Sequence, residues 1–137
     1  MDWEECYKKR IVKEIKKDFE LIKSLIKTSN NKLISESELV MNDVNANSKI
    51  SLVYDSLREL LEALSIKNDY KIYNHECYVP FLKEILRENE IAEEFDDVRK
   101  IRNQINYYGK EVSILDCKNI INRIKELRNR ILILLEN

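Results

Sequence analysis

The sequence predicts an all-α fold: an antiparallel up-and-down four-helix bundle with one additional short helix, in a single domain spanning residues 1–137. Three observations lead there. The chain holds one glycine and one proline in 137 residues, too few for the many turns of a sheet protein. Apolar residues recur at helical spacing along most of its length. Aspartate, serine and asparagine stand where helix caps belong. Hydrophobic residues make up 44% and charged residues 36%, which suits apolar stripes backed by charged outer faces.

Taken in order, Asp2 caps a first helix and Glu5 closes a capping box. Tyr7, Ile11, Ile15, Phe19, Ile22 and Ile26 then form one helical stripe. The polar run TSNNK ends it, with Asn30 and Asn31 in turn conformations. Ser35 and Glu38 form a second capping box for a short helix to about Met41. The run NDVNANS breaks the chain, because its side chains compete for their own backbone. A strong helix follows, with Leu52, Val53, Leu57, Leu60, Leu61 and Leu64 apolar. Residues 67–74 read as a loop.

The third long helix begins between Asn74 and Val79, and Pro80 makes it start late or kink. Phe81, Leu82, Ile85 and Leu86 supply its core face. A fourth starts near Asn89, turns Ile91, Phe95, Val98, Ile101, Ile105 and Tyr108 inward, and stops at Gly109. Ser113 and Asp116 mark the start of the last helix, which carries Cys117, Ile120, Ile121, Ile124, Leu127, Ile131, Leu134 and Leu135. Its apolar run ILILL is a candidate dimer face.

Composition narrows the function. A net charge of -1 gives no overall basic signature for nucleic acid, although it leaves room for a local basic patch. Cys6, Cys77 and Cys117 are widely spaced, odd in number and without a CxxC pair, so they read as reduced intracellular thiols. A single histidine leaves a zinc site short of ligands, and no metal or cofactor is expected. The N-terminal MDWEECYKKR has no apolar core, and ILILL falls far short of the ~20 residues of a membrane span. A cytoplasmic protein with no membrane segment is therefore expected. No glycine-rich phosphate loop, Walker, Rossmann or HExxH pattern occurs.

The stretch RKIRNQINYYGKEVS stands out, with Arg102 beside the core seam. Asn106 follows one turn later on the same face, and Asn103 with Tyr107 forms the adjacent row. Arg102 either pairs with a neighbouring acid or binds phosphate, since a guanidinium near a core needs an anionic partner. An antiparallel hairpin of the third and fourth helices brings His75 and Glu76 to the end that carries Arg102, Asn106 and Tyr107. Arg58 and Glu62 come within reach there. An arginine suited to phosphate beside a group titrating near neutrality is what an RNA phosphodiester site needs. The alternative for His75 is a helix-start histidine bonded to backbone or acid.

The run RKIRNQINYYGKEVS resembles the RN-containing signature of HEPN (higher eukaryotes and prokaryotes nucleotide-binding) domains. The upstream VYDSLRELLEALSIKNDYKIYNHECYVPFLKEIL and EEFDDVRKIRN look like archaeal members of that superfamily. The likeness runs from about Ser51 to Ser113. It implies a four- or five-helix bundle, usually a homodimer. Many members are metal-independent RNases built on an arginine, four to six residues, then a histidine. Many act beside a minimal nucleotidyltransferase in toxin–antitoxin pairs, and others bind RNA or nucleotide without catalysis.

Carried onto this chain, the motif arginine falls on Arg102 and its asparagine on Asn103. The histidine would fall on Tyr107, Tyr108 or Gly109, so the acid–base residue is replaced. A phenol titrating near ~10 is a poor base at neutral pH, although Tyr107 can donate a hydrogen bond to phosphate. In paired systems the tyrosine after the motif histidine is modified with AMP, and Tyr108, or less cleanly Tyr107, is its equivalent here.

Three readings follow. The first is an RNA- or nucleotide-binding module with weak or absent RNase activity, using Arg102, Asn103, Asn106, Tyr107, Arg58 and Glu76. The second is an active metal-independent endoribonuclease in which His75 and Arg102 are catalytic. The third is a structural dimerisation module.

Overall fold

A computed structural model describes residues 1–109 and 111–137, without the side chain of Tyr107. Most of it is helical. The long helices are α2 (Phe19–Glu38), α3 (Ala46–Lys67), α5 (Asn89–Tyr108) and α6 (Ile114–Glu136). A short α1 (Trp3–Lys8) precedes them, and α4 (Tyr78–Pro80) is one turn within a mixed helical segment.

The N-terminal third departs from the expected single helix. Asp2 does cap α1, accepting from the Glu5 amide at 2.8 Å. However, α1 stops at Lys8, and Arg10 takes a left-handed conformation at φ 60°. Strand β1 (Val12–Glu14) follows and pairs antiparallel with β2 (Tyr70–Ile72) in the register Val12↔Ile72 and Glu14↔Tyr70. β2 lies inside the stretch expected to be a loop. Val12 and Ile72 are both buried, so the ribbon closes one side of the core.

Asp18 then caps α2, accepting from the Leu21 amide at 3.0 Å. α2 runs straight through Asn30 and Asn31, and the expected short helix beginning at Ser35 is its last turn. The expected break does fall in the Asn-rich run: Asn42 Oδ1 accepts from the Val44 and Asn45 amides at 2.8 and 2.9 Å, and α3 starts at Ala46.

α3 is the central element. Leu57, Leu60, Leu61 and Leu64 are fully buried against Phe81, Phe95, Ile124 and Leu127. Side-chain contacts fix the helix directions. Ser29 Oγ donates to Ser56 O at 2.6 Å, while Glu36 meets Lys49 at 3.1 Å, so α2 and α3 are antiparallel. Lys67 Nζ donates to Leu135 O at 2.8 Å, which places the ends of α3 and α6 together. Arg130 meets Glu90 at 3.2 Å and Arg123 meets Glu94, so α5 and α6 are antiparallel. On the run ILILL, Ile131 is buried and Ile133 is exposed.

Pro80 has its predicted consequence. Asn74 Oδ1 accepts from the Glu76 amide at 2.9 Å and opens a 3-10 helix, His75–Cys77. This passes through α4 into a π-helical turn, Phe81–Ile85. Proline lacks the amide that would continue a regular ladder, and the wider turn absorbs the mismatch. Gly109 ends α5 at φ 63°, in the left-handed conformation that glycine adopts without strain.

The cysteine reading is corrected. Cys6 and Cys77 form a disulfide across 71 residues, with Cα atoms 6.1 Å apart, and only Cys117 is free. Wide spacing in sequence does not keep residues apart once α1 docks on the 3-10 helix. The bond removes the thiol argument for a reducing compartment. Among the described residues, no helix is long and apolar enough to cross a membrane.

Candidate functional site

Three elements meet at one cleft. α3 places Tyr54 and Arg58, one turn apart, behind its lining. The connection from β2 into the 3-10 helix supplies Tyr73, Asn74, His75 and Glu76. α5 supplies Arg99, Arg102 and Asn103 from a single face. The cleft measures about 270 Å³ and is lined by Tyr73, Asn74, His75, Glu76, Arg99, Arg102 and Asn103.

Its base is aromatic. Tyr54 is fully buried and stacks on Phe95, with ring centroids 6.3 Å apart. The Arg102 guanidinium lies over the Tyr54 ring, 5.0 Å from its centroid, in cation–π geometry. Tyr54 Oη and His75 Nδ1 are 3.2 Å apart. Arg99 is held by Asp96 at 2.8 Å, and Lys100 also reaches that carboxylate at 3.0 Å. Arg58 leans on Glu62 at 3.6 Å, while Lys71 holds the other oxygen of Glu62 at 2.6 Å.

The field at His75 is positive. Burial lowers its pKa most, followed by Arg58 and Arg102; Asp55 opposes them, and Arg99 adds to the lowering. Together they bring it down to about 4, so the imidazole is neutral at pH 7. Burial pushes the Tyr54 phenol up to about 12 despite the same three arginines, so it keeps its proton. The phenol hydroxyl and Nδ1 share one hydrogen bond, whose direction follows the imidazole tautomer. In either tautomer Nδ1 is engaged with Tyr54, and Nε2 is the ring nitrogen that Tyr54 does not occupy.

This gives stability a pH dependence with a definite sign. The folded pKa of His75 lies below its ordinary 6.5. Between about 6.5 and 4 the unfolded chain binds that proton and the folded one does not, so stability falls as pH drops through this window. Above it the term is constant. His75 is the only histidine, so denaturant melts of His75→Gln should show a shallower loss between these pH values than the parent. Parallel curves would disprove the shift.

The cleft gathers His75, Glu76, Arg102 and Asn103 of the sequence-expected set, with Arg58 acting at its back. Asn106 does not line it and is exposed, because it continues the face of Arg99, Arg102 and Asn103 one turn further along α5, past the end of the cleft. Tyr108, expected to face inward, is 81% exposed at the end of α5. The expectation for the Tyr107 side chain lies outside the described residues. Sequence reasoning missed Tyr54, Tyr73 and Arg99. The first sits within a leucine stripe and the last within a charged run, but Arg99 stands one turn before Arg102, and Tyr54 one turn before Arg58. That spacing was the available signal.

Among the described residues, no group of three His, Cys, Asp or Glu side chains is placed to hold a metal ion. The site is an arginine-rich polar cleft around a neutral imidazole. Comparison with protein-family models, with curated proteins and with solved structures finds no match.

Proposed function

We propose that the chain is a HEPN-like module that binds RNA or nucleotide through this cleft, with weak or absent RNase activity. The observation that carries the reading is the convergence of Arg99 and Arg102 beside His75, with Arg58 adding to the positive field. Guanidinium groups bind phosphate oxygens by charge-assisted, often bidentate hydrogen bonds. Their positive charge near a partly buried imidazole is relieved when an anion arrives. The acids Asp55, Glu62, Glu76 and Asp96 flank the site, yet the arginines outweigh Asp55 in their effect on His75.

In this proposal α2, α3, α5 and α6 form the up-and-down four-helix bundle of that superfamily. The module works as a homodimer beside a nucleotidyltransferase partner in a toxin–antitoxin-like pair. The exposed Ile133 on α6 supports the first contact, and the exposed Tyr108 is accessible to a modifying partner.

The RNase reading, with His75 and Arg102 catalytic, is favoured by their shared cleft. It is disfavoured by the burial and the arginine field that bring the His75 pKa down to about 4, which make the imidazole a weak proton acceptor at pH 7. Arg102→Ala should weaken RNA or nucleotide binding by about tenfold or more, the scale of a hydrogen bond to a charged group. Isothermal titration reads this, with circular dichroism confirming the fold. Unchanged affinity would sink the proposal. Metal-free RNA cleavage lost in both His75→Ala and Arg102→Ala would establish the RNase reading instead.

A further inference from the structure

We propose that Tyr73 is a stacking platform for a nucleobase, so that the cleft takes a phosphate carrying a base one sugar away and not phosphate alone. The inference rests on the phosphate reading above and assigns the residue that recognises the rest of the ligand.

Tyr73 lines the same cleft as Arg99 and Arg102. It is 61% exposed, whereas Tyr54 and Tyr78 are buried in the aromatic base. Its ring makes none of the aromatic contacts formed among the described residues, where Trp3, Tyr7, Tyr54, Tyr70, Tyr78, Phe81, Phe95 and His75 pair with one another. Holding so large an apolar ring in water stabilises nothing in the fold. Its backbone is nevertheless fixed: the Tyr73 amide donates to Ile11 O at 2.9 Å, and Asn74 caps the next turn. The ring is therefore presented from a rigid base at the rim.

Size agrees. A cleft of about 270 Å³ lies just below the roughly 300–1,000 Å³ of pockets that enclose small ligands. It accommodates a phosphate and sugar and leaves a base outside, where Tyr73 stands. Stacking on an aromatic face is tolerant of base identity, and the amide side chains of Asn74 and Asn103 at the same rim offer hydrogen bonds to base edges. The shared chemistry is found both in a free mononucleotide and in one unit of single-stranded RNA.

Titration calorimetry with ribose 5-phosphate, AMP and a short oligoadenylate separates the cases. AMP should bind about tenfold or more tightly than ribose 5-phosphate, the scale of one stacked base. Tyr73→Ala should abolish that advantage while leaving ribose 5-phosphate affinity unchanged, and Tyr73→Trp should keep it. Oligoadenylate binding much tighter than AMP identifies a strand as the source, and equal binding identifies the mononucleotide; either retains the Tyr73 role. Equal affinities for AMP and ribose 5-phosphate in the parent, or an AMP advantage that survives in Tyr73→Ala, overturn the inference. Failure of the phosphate reading has a different signature: ribose 5-phosphate affinity unmoved by Arg102→Ala.

Discussion

Glu36→Ala should lower unfolding stability by about 3–5 kcal/mol, the usual effect of removing one partner from a buried ion pair. Glu36 and Lys49 are 3% and 5% exposed and 3.1 Å apart. Lys49 Nζ also donates to the carbonyls of Glu36 and Leu39, where α2 ends. Glu36 O otherwise accepts only the Leu39 amide at 3.2 Å among the described residues, so the ammonium serves as a C-terminal cap as well as a counter-ion. A second cation, Lys125 of α6, approaches the other Glu36 oxygen at 2.9 Å.

Losing the carboxylate leaves the Lys49 ammonium with only carbonyls in the interior. The double variant Glu36→Leu, Lys49→Met should recover much of the loss, because apolar replacement of a buried pair is often neutral or better. Urea melts of the two variants decide this. If Glu36→Ala alone melts like the parent, the carboxylate is not a load on the interior.

Cys6→Ser and Cys77→Ser, singly or together, should each lower stability by about 4 kcal/mol in the chain-entropy account of a loop this long. The bond spans 71 residues and both sulfurs are fully buried. It fastens α1 to the 3-10 helix that carries His75 and Glu76. Thermal melts with and without reductant measure the effect on the parent, and an unchanged midpoint under reduction counts against it. The Ser variants should be insensitive to reductant.

Legibility in the sequence followed the range of the forces involved. Gly109, Ser113 and Asp2 were readable because caps act within a turn: Ser113 Oγ accepts from the Asp116 amide at 3.1 Å, as its spacing predicted. The break between Lys8 and Phe19 was not readable. Tyr7, Ile11, Ile15 and Phe19 fit a helical stripe, yet Tyr7 and Phe19 are exposed. What fixes this segment is a distant strand partner, Glu14 against Tyr70 and Val12 against Ile72, and local periodicity carries no information about that partner. Asn30 and Asn31 stay helical because α2 is held on both sides, with Ser29 on Ser56 and Arg128 on Ser29 and Asn30. Tertiary contact overrides a modest propensity.

The site was legible in part for the same reason. An antiparallel hairpin brings His75 and Arg102 to one end by topology alone, and both line the cleft. The position along α5 at which the cleft sits, beside Arg99 and short of Asn106, depends on how Phe95 packs on Tyr54 and Tyr78. Packing of that kind is settled by ring shapes in three dimensions.

Trp3, the single tryptophan, has a consequence for optical work on this protein. Its ring sits 5.0 Å from Tyr70 and 6.0 Å from Phe81, and its amide donates to Glu84 at 2.8 Å. Intrinsic emission excited at the red edge therefore reports from one place only, where the N-terminal turn meets the ribbon and the π-helical bend. It would register detachment of that turn without registering occupancy of the cleft directly, so it serves as an internal reference signal against which ligand-linked changes can be read.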